Sequence, residues 1–357
     1  MQRSILLFEN SIKSKETLRT YTYNLDRFLD WAQIKDYDSL LCVPAEQLQA
    51  ILEDYLFYLK KRVSPNSIPP IFAPIELFLT LNEKEYRFKK LRKMYPATVK
   101  KAGSMPYTTT DIQQMFLNTK KKRSRALVLF LASTGARIGV FENLKLKHLV
   151  EMPDGCKGVL FYEETNEEYW GFLNPESSKA LNEYFEERKK DGENLDTESP
   201  VFRSKYQIGS LHIKPLSVYG AKGIIRRLVS DSPFRKKLGK RYDKQADHGF
   251  RKRFNTILKL NNTVNPNIAE KLMGHKNGLD GVYLVPTKEE CFSEFQKAIV
   301  DLTINDSERL LVKNQKLEEE KTRLERQIPN LVKEAVERVK EELRIEGWIP
   351  QSHPKIP

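Results

Sequence analysis

Residues 248–275 of this 357-residue chain read HGFRKRFNTILKLNNTVNPNIAEKLMGH. His248 and Arg251 are three residues apart within a helical pattern, which places both side chains on one face of a helix. A second helical pattern ends at Gly274, whose lack of a side chain suits a left-handed cap. His275 then follows directly after the helix. The stretch therefore predicts two short helices that carry two histidines and an arginine.

The composition is that of a basic protein with enough apolar residues to form cores. Lys and Arg number 61 against 48 Asp and Glu, which gives a net charge of +13, and 39% of the residues are hydrophobic. This charge favours an acidic partner, most often nucleic acid. We expect no membrane helix, since no apolar run approaches the roughly 18 residues that one needs. The cysteines are odd in number and far apart in the sequence, which argues against a disulfide framework or a cysteine metal site. Such cysteines favour a reducing cytoplasm. They are Cys42, Cys156 and Cys291.

The N-terminal hundred residues have helical periodicity. Helices are predicted over 14–32 and 45–61, each with leucines and aromatic residues at three- and four-residue spacing. Residues 64–74 hold four prolines and are expected to form a broken connector, with a helix resuming over 75–81. The basic stretch 87–101 is expected to be an exposed linker, either a solvated hinge or a strap on phosphates.

The pattern changes at about Tyr107. A helix over 125–132 is expected to end at Gly135, followed by a new helix near Arg137. Two strand-like runs, 158–162 and 168–173, are separated by a polar turn and predict a small antiparallel hairpin. Helices are expected from there to about residue 303.

The C-terminal segment from Ser307 is rich in Glu, Lys and Arg and has a heptad of leucines. This predicts a short coiled coil, a helix that packs on a partner, or a mobile charged helix. Pro329 is expected to break or kink it. The heptad leucines are Leu310, Leu317, Leu324 and Leu331.

An ordered set of short motifs gives these patterns a more specific meaning. TGARIG contains Arg137, HGFR contains His248 and Arg251, LMGH contains His275, and Tyr283 stands eight residues beyond that histidine. Each motif alone is common, but in this order they resemble the tyrosine recombinases, the family of phage-type integrases and the Xer and Cre recombinases. The resemblance covers residues 108–303 well and 14–81 more loosely. The run LMGHKNGLDGVYLVPT looks closest to archaeal integrase-like members.

The resemblance implies a mainly α fold in three parts. Residues 1–100 would form a helical, SAM-like core-binding domain, and residues 105–303 an α+β catalytic domain with a small antiparallel sheet. Residues 304–357 would form a helical, coiled-coil-like tail. The implied partner is a duplex DNA site bound by a homo-oligomer, a tetramer in the synapse, without a cofactor. The implied role is integration or excision of a mobile element, with chromosome-dimer resolution as the alternative within the family.

The family chemistry also implies a role for each motif residue. Arg137 and Arg251 would hold the non-bridging oxygens of a phosphodiester, and His248 and His275 would donate hydrogen bonds or move protons. Tyr283 would be the nucleophile and form a 3′-phosphotyrosine. Because that bond retains the energy of the phosphodiester, religation would need no ATP, and the positive cluster would stand where other enzymes use a metal.

The sequence departs from the family pattern at two points. Family members usually have a lysine in the hairpin turn as the general acid, but here the turn reads EETNEE over 163–168, and Asn166 is the residue expected at that place. Lys157, at the start of the preceding strand, is the nearest candidate. The acidic residue often found three positions after the first arginine is Val140 here.

Basic runs outside the motifs are expected to contact the DNA backbone, with solubilising charge as the alternative. Two other functions remain open: a type IB topoisomerase-like enzyme that relaxes DNA, and an architectural or regulatory DNA-binding protein that has lost catalysis. The expected DNA-binding residues are Arg87, Lys89, Lys90, Arg92, Lys93, Lys100, Lys101, Lys236, Lys237 and Arg241.

Overall fold

The structure, a computed structural model, describes residues 3–99, 105–206, 209, 212–230, 232–238, 241–276 and 283–346. The chain divides into two compact units, Met1–Lys101 and Ala102–Pro357. The described residues are mainly helical, with a three-stranded and a two-stranded antiparallel sheet, which confirms the predicted fold class. No helix among them is both long and apolar enough to cross a membrane.

The N-terminal unit is all helical around one apolar core. Ser14 caps its second helix by accepting a hydrogen bond from the Thr17 backbone N–H, and Leu25, Phe28 and Leu29 of that helix are buried. The two long helices predicted from periodicity are confirmed. The helices are α1 (Arg3–Ser11), α2 (Lys15–Ala32), α3 (Tyr37–Cys42), α4 (Ala45–Arg62), α5 (Ile68–Leu81) and α6 (Phe88–Lys93).

The proline-rich segment of this unit is more regular than expected. Residues 65–67 form a 3₁₀ turn and α5 then begins at Ile68, with prolines in its first turn, where the backbone N–H groups have no partner within the helix. Pro74 lies inside the helix, and Phe72 and Phe78 are buried on it. The expectation of a broken connector up to residue 74 is therefore wrong.

Residues Phe88–Lys93 of the basic stretch that follows form a helix rather than an extended linker. Phe88 and Leu91 of α6 are buried in the core of the N-terminal unit. Arg87, Lys89 and Lys93 are exposed. The other two basic side chains of the stretch pair with acids: Lys90 lies 2.7 Å from Glu53, and Arg92 2.5 Å from Glu76. Lys100 and Lys101 lie outside the described residues.

The C-terminal unit surrounds a central buried helix. Its α-helices are α7 (Thr109–Leu117), α8 (Lys122–Thr134), α9 (Pro175–Lys190), α10 (Val218–Leu228), α11 (His248–Leu260), α12 (Pro266–Leu272), α13 (Lys288–Leu302) and α14 (Asp306–Ile345). Its strands are β1 (Leu149–Glu151), β2 (Lys157–Phe161), β3 (Tyr169–Leu173), β4 (Lys237–Leu238) and β5 (Arg241–Tyr242). Short 3₁₀ segments span Ile138–Glu142, Leu146–His148 and Pro153–Gly155.

Helix α8 and the hairpin β2–β3 form the core of this unit. Residues Ala126 to Thr134 of α8 are all buried, and the ring of Phe130 packs against Phe141, Phe161 and Phe202. The predicted hairpin is confirmed, with Phe161 opposite Tyr169 at its closed end. β1, which the sequence did not predict, adds a third strand antiparallel to β2.

The last helix, α14, packs on the C-terminal unit only through its first turns. Val312 packs against the cluster that α13 forms with α11 and α12, and Lys316 donates a hydrogen bond to the Gln296 carbonyl at 2.7 Å. Beyond that point the described side chains of α14 are exposed or half-buried. The helix runs through Pro329, so the predicted break there is wrong.

A buried ion network closes the end of α9. Arg188 and Glu193 are both fully buried, with Arg188 Nε 2.9 Å from a Glu193 carboxylate oxygen. Arg203 Nε lies 3.0 Å from the same carboxylate. Arg188 also donates to the Pro200 carbonyl at 2.7 Å. Asp191 lies 2.5 Å from Nη2 of Arg203, so Glu193 balances Arg188 and shares Arg203 with a second carboxylate.

We expect Glu193→Gln to destabilise the C-terminal unit by about 3–5 kcal/mol, because removing one partner leaves buried charges without compensation. Glu186→Gln is the matched control: Glu186 pairs with Lys189 at 2.8 Å on the surface of the same helix, and such pairs contribute about 0–1 kcal/mol. Urea unfolding measures both. Equal midpoints for the two variants would contradict this assignment.

Candidate active site

Arg251 lies at a point where three helices meet. It is in the first turn of α11, and its Nη1 donates to the carbonyl of Gly135 at 2.8 Å. Its Nη2 donates to the carbonyl of Met273 at 2.5 Å. These carbonyls belong to the C-terminal ends of α8 and α12, where backbone oxygens lack a partner within the helix and carry partial negative charge. One guanidinium group therefore joins α8, α11 and α12.

Two glycines make this meeting point possible. Gly135 caps α8 with φ +58°, and a Cβ there would lie 2.6 Å from the Phe254 ring. Gly274 follows α12 with φ +61°, and a Cβ there would lie 2.6 Å from the Tyr169 ring. Both positions need the left-handed conformation and the absence of a side chain. The left-handed caps predicted at Gly135 and Gly274 are confirmed.

Arg137 approaches the same point from the other side. It precedes the 3₁₀ segment Ile138–Glu142, and not the predicted α-helix, and its Nη2 donates to the carbonyl of Gly274 at 3.3 Å. Its Nη1 is buried and has no hydrogen bond among the described residues, although the Glu167 carboxylate lies 3.8 Å away. A buried donor without a partner is costly, so this nitrogen favours an incoming anion.

His275 completes the cluster. Its Nε2 lies 2.8 Å from Nη2 of Arg251, and its Nδ1 lies 2.5 Å from the Glu270 carboxylate. The ring is 30% exposed, so one side still faces solvent. The structure thus brings together Arg137, Arg251 and His275, three of the residues that the motifs single out.

Two tyrosines next to the hairpin turn, Tyr162 and Tyr169, lie beside Arg137 and Arg251. Burial raises the pKa of Tyr169 to about 12, although the nearby charges of Arg251 and Arg137 act in the opposite direction. Burial also raises the pKa of Tyr162, again opposed by Arg137. Burial lowers the pKa of Arg251, although arginine stays charged in proteins. At neutral pH the cluster therefore has two cationic guanidinium groups above neutral phenols, an arrangement suited to a phosphate.

His248 faces a basic cavity. It is exposed at the start of α11 and helps to line an open cavity of about 570 Å³. Lys222 and Arg226 of α10 and Arg235 line the same cavity. Arg241 of the hairpin β4–β5 does so too, and Lys236 and Lys237 are exposed beside it. The hairpin β4–β5 was not predicted from the sequence. The sequence signal for it is Gly239, which stands between two very short strand-like runs.

Lys157 does not join the cluster. It is the first residue of β2, opposite Glu151 of β1, and its ammonium group forms an ion pair with that carboxylate. The cluster lies at the other end of the strand, where Glu167 of the turn approaches Arg137. Lys157 and Phe161 are four positions apart along β2, about 13 Å at 3.3 Å per residue. The structure therefore places Lys157 away from Arg137, Arg251 and His275, and its role as general acid stays a prediction.

Tyr283 is exposed. Its side chain is 80% accessible, and within the described part of the chain its hydroxyl has no hydrogen bond to Arg137, Arg251 or His275. Residues 277–282, between His275 and this tyrosine, lie outside the described residues. The assignment of Tyr283 as nucleophile stays a prediction.

Glu270, Tyr162 and Tyr169 belong to the site but were not singled out from the sequence. Tyr162 and Tyr169 flank the polar turn of a hairpin whose partner in space the sequence does not reveal. Glu270 could have been found from the sequence. It stands five residues before His275, and a glycine cap at Gly274 brings the residue after the cap next to the residue at that spacing.

We expect Gly274→Ala to lower the thermal unfolding midpoint and weaken binding of an anionic ligand, since the added methyl group would displace Tyr169 and the carbonyl that holds Arg137. Gly192→Ala is the control, because Gly192 has φ +85° but nothing within 4 Å of a Cβ. Backbone strain alone costs about 1–3 kcal/mol. Equal effects of both substitutions would show that the contact with Tyr169 is unimportant.

Comparison with known protein families gives a match over part of the C-terminal unit. Residues 107–279 match the phage integrase family. This range contains the three clustered residues and His248, whereas Tyr283 lies four residues beyond its end. A comparison with curated protein sequences finds no significant match.

Solved structures with this fold are distant in sequence. XerH site-specific recombinase bound to its difH substrate is 17% identical, with a TM-score of 0.52 and coverage of 73% of this chain and 74% of that one. The Tn1549 transposon integrase with circular-intermediate DNA is 17% identical, with a TM-score of 0.52 and coverage of 82% and 99%. A lambda integrase dimer on a COC′ core site is 15% identical, with a TM-score of 0.52 and coverage of 78% and 90%. Residues 107–279 therefore form a domain of the phage integrase family.

Proposed function

We propose that the protein is a site-specific DNA recombinase that cleaves and rejoins duplex DNA through a 3′-phosphotyrosine at Tyr283. The observation that carries the proposal is the convergence of Arg137, Arg251 and His275, with Arg137 Nη1 buried and unpaired among the described residues. Planar guanidinium groups match the geometry of phosphate oxygens. The family match over residues 107–279 supports DNA strand exchange as the reaction class.

The proposed reaction balances without another reactant. The Tyr283 hydroxyl loses its proton and attacks the phosphorus, a phosphotyrosine bond forms, and the bond to the 5′ oxygen breaks as that oxygen takes up a proton. Negative charge grows on the non-bridging oxygens in the transition state, where preorganised donors have their largest effect. Arg137 and Arg251 supply that stabilisation, and His248 and His275 are the groups able to move protons. Neither ATP nor a metal is needed for this sequence of bonds.

Tyr283 and the cluster come together when DNA is bound. The exposed tyrosine can serve its own cluster or that of a neighbouring subunit. Meanwhile the cavity beside His248 and the hairpin β4–β5 hold the flanking backbone. These exposed lysines and arginines contribute affinity that falls as salt rises, rather than sequence choice. Such a protein works where the DNA is, in the cytoplasm, and we infer a mobile element as its substrate.

Helix α14 provides a surface for a second copy. Its leucines lie seven apart and are largely exposed, for instance Leu317 at 53% and Leu331 at 59%. Exposed apolar residues at heptad spacing favour association of two helices. We propose a short coiled coil between subunits within a tetramer on two DNA sites; the lambda integrase structure, a dimer on one core site, is consistent with assembly on DNA.

We expect wild-type protein to form a covalent adduct with a suicide duplex that carries a nick near the cleavage point, and Tyr283→Phe to form none. Tyr219→Phe is the control, since Tyr219 on α10 is also 80% exposed. Denaturing gels measure the adduct. An adduct with Tyr283→Phe, or none with wild type, would overturn the proposal.

We expect Leu324→Gln combined with Leu331→Gln to abolish the complex that joins two DNA sites while single-site binding is retained. Glu325→Gln, an exposed change on the same helix, should leave both unchanged. Native gels and analytical ultracentrifugation on DNA distinguish the two complexes. Normal pairing of sites by the double variant would exclude α14 as the subunit contact.

A further inference from the structure

We propose that Glu270 is a positioning residue that fixes the tautomer and orientation of His275, so that the Nε2 atom of His275 faces the phosphate. The inference rests on the proposed function for its catalytic consequence, but the geometry stands on its own. Glu270 and His275 are joined twice, through side chains at 2.5 Å and through the backbone at 3.0 Å.

The backbone contact explains why these two side chains meet. The His275 N–H donates to the Glu270 carbonyl at 3.0 Å, and the Gly274 N–H donates to the Lys271 carbonyl at 2.8 Å. This pair of bonds, with a left-handed glycine between, is a Schellman motif at the end of α12. The motif brings the side chain after the glycine over the residue five positions earlier. Usually two apolar side chains meet there; here a carboxylate and an imidazole do.

The partners of His275 decide which ring nitrogen carries the proton. Arginine only donates hydrogen bonds, so Nε2 of His275 must accept from Arg251 at 2.8 Å. The proton of the neutral ring is then on Nδ1, directed at the Glu270 carboxylate at 2.5 Å. Glu270 therefore selects the tautomer that leaves Nε2 as the atom facing the phosphate site, as a carboxylate does for a histidine that binds a metal.

Glu270 is itself held in place and charged. Lys259, two turns beyond Arg251 on α11, forms an ion pair with its other carboxylate oxygen. Burial would raise the pKa of Glu270, but the hydrogen bonds from Lys259 and His275 outweigh it, and the pKa lies below its ordinary value. Among the described residues, Glu270 and Arg251 contact the imidazole directly, and Lys259 pairs with Glu270. The ionised carboxylate of Glu270 thus lies directly against Nδ1 of His275.

The test combines a spectrum with a kinetic cycle. In ¹⁵N NMR of the free protein, we expect His275 to be the Nδ1–H tautomer in wild type and to shift towards Nε2–H in Glu270→Ala. In single-turnover cleavage of the suicide duplex, we expect Glu270→Gln to be slower by about 10- to 100-fold, the usual cost of losing an orienting partner, with DNA affinity unchanged. Glu289→Gln, an exposed acid on α13 with 73% side-chain exposure, is the control and should match wild type.

A second background separates positioning from a structural role. If Glu270 acts through His275, Glu270→Gln should add nothing to the loss caused by His275→Phe. An equal loss in both backgrounds, or an Nδ1–H tautomer that persists in Glu270→Ala, would overturn the inference. Failure of wild type to form an adduct would overturn the proposed function instead, and the tautomer measurement would still decide the role of Glu270.

Discussion

The C-terminal unit depends on one guanidinium group that binds two helix ends. Arg251 donates to the carbonyls of Gly135 and Met273, which the C-termini of α8 and α12 leave without helical partners. A cation placed on two negative helix ends is stabilised there, and it also fixes the distance between the helices. Because the same group contacts His275, the fold and the anion site share one arginine. Replacing Arg251 would therefore disturb both.

Each of the two glycine caps of the site holds an arginine from a different part of the chain. Gly135 supplies a carbonyl to Arg251, and Gly274 supplies one to Arg137. The rings of Phe254 and Tyr169 fill the space where a Cβ would be. The packing and the geometry of the candidate site are therefore set by the same four positions, Gly135, Gly274, Phe254 and Tyr169. Preorganisation of this kind lets donors act on a transition state without reorganising during the reaction.

Local sequence patterns predicted the parts of the fold that depend on local physics. The long helices of the N-terminal unit, the hairpin 158–173 and the two glycine caps follow from periodicity and capping and were found. Wrong predictions occurred where burial or chain position overrides composition. Pro69 and Pro70 start a helix because its first turn needs no N–H donors, and the charges of 87–93 surround two buried apolar side chains. The site's arginines and histidines came from motif order, whereas Tyr169 required the contacts in space. Lys157 was placed correctly at the start of its strand, but its distance from the cluster is visible only in the structure.

We propose that Arg137 neutralises charge on a non-bridging oxygen of the scissile phosphate. The most direct measurement compares Arg137→Ala on a normal suicide duplex and on one with a methylphosphonate at the cleaved position, which lacks that charge. We expect a loss of about 10²- to 10³-fold on the phosphate, the usual effect of removing one such donor, and recovery of most of it on the methylphosphonate. The same loss on both substrates would contradict the assignment of Arg137 to the phosphate.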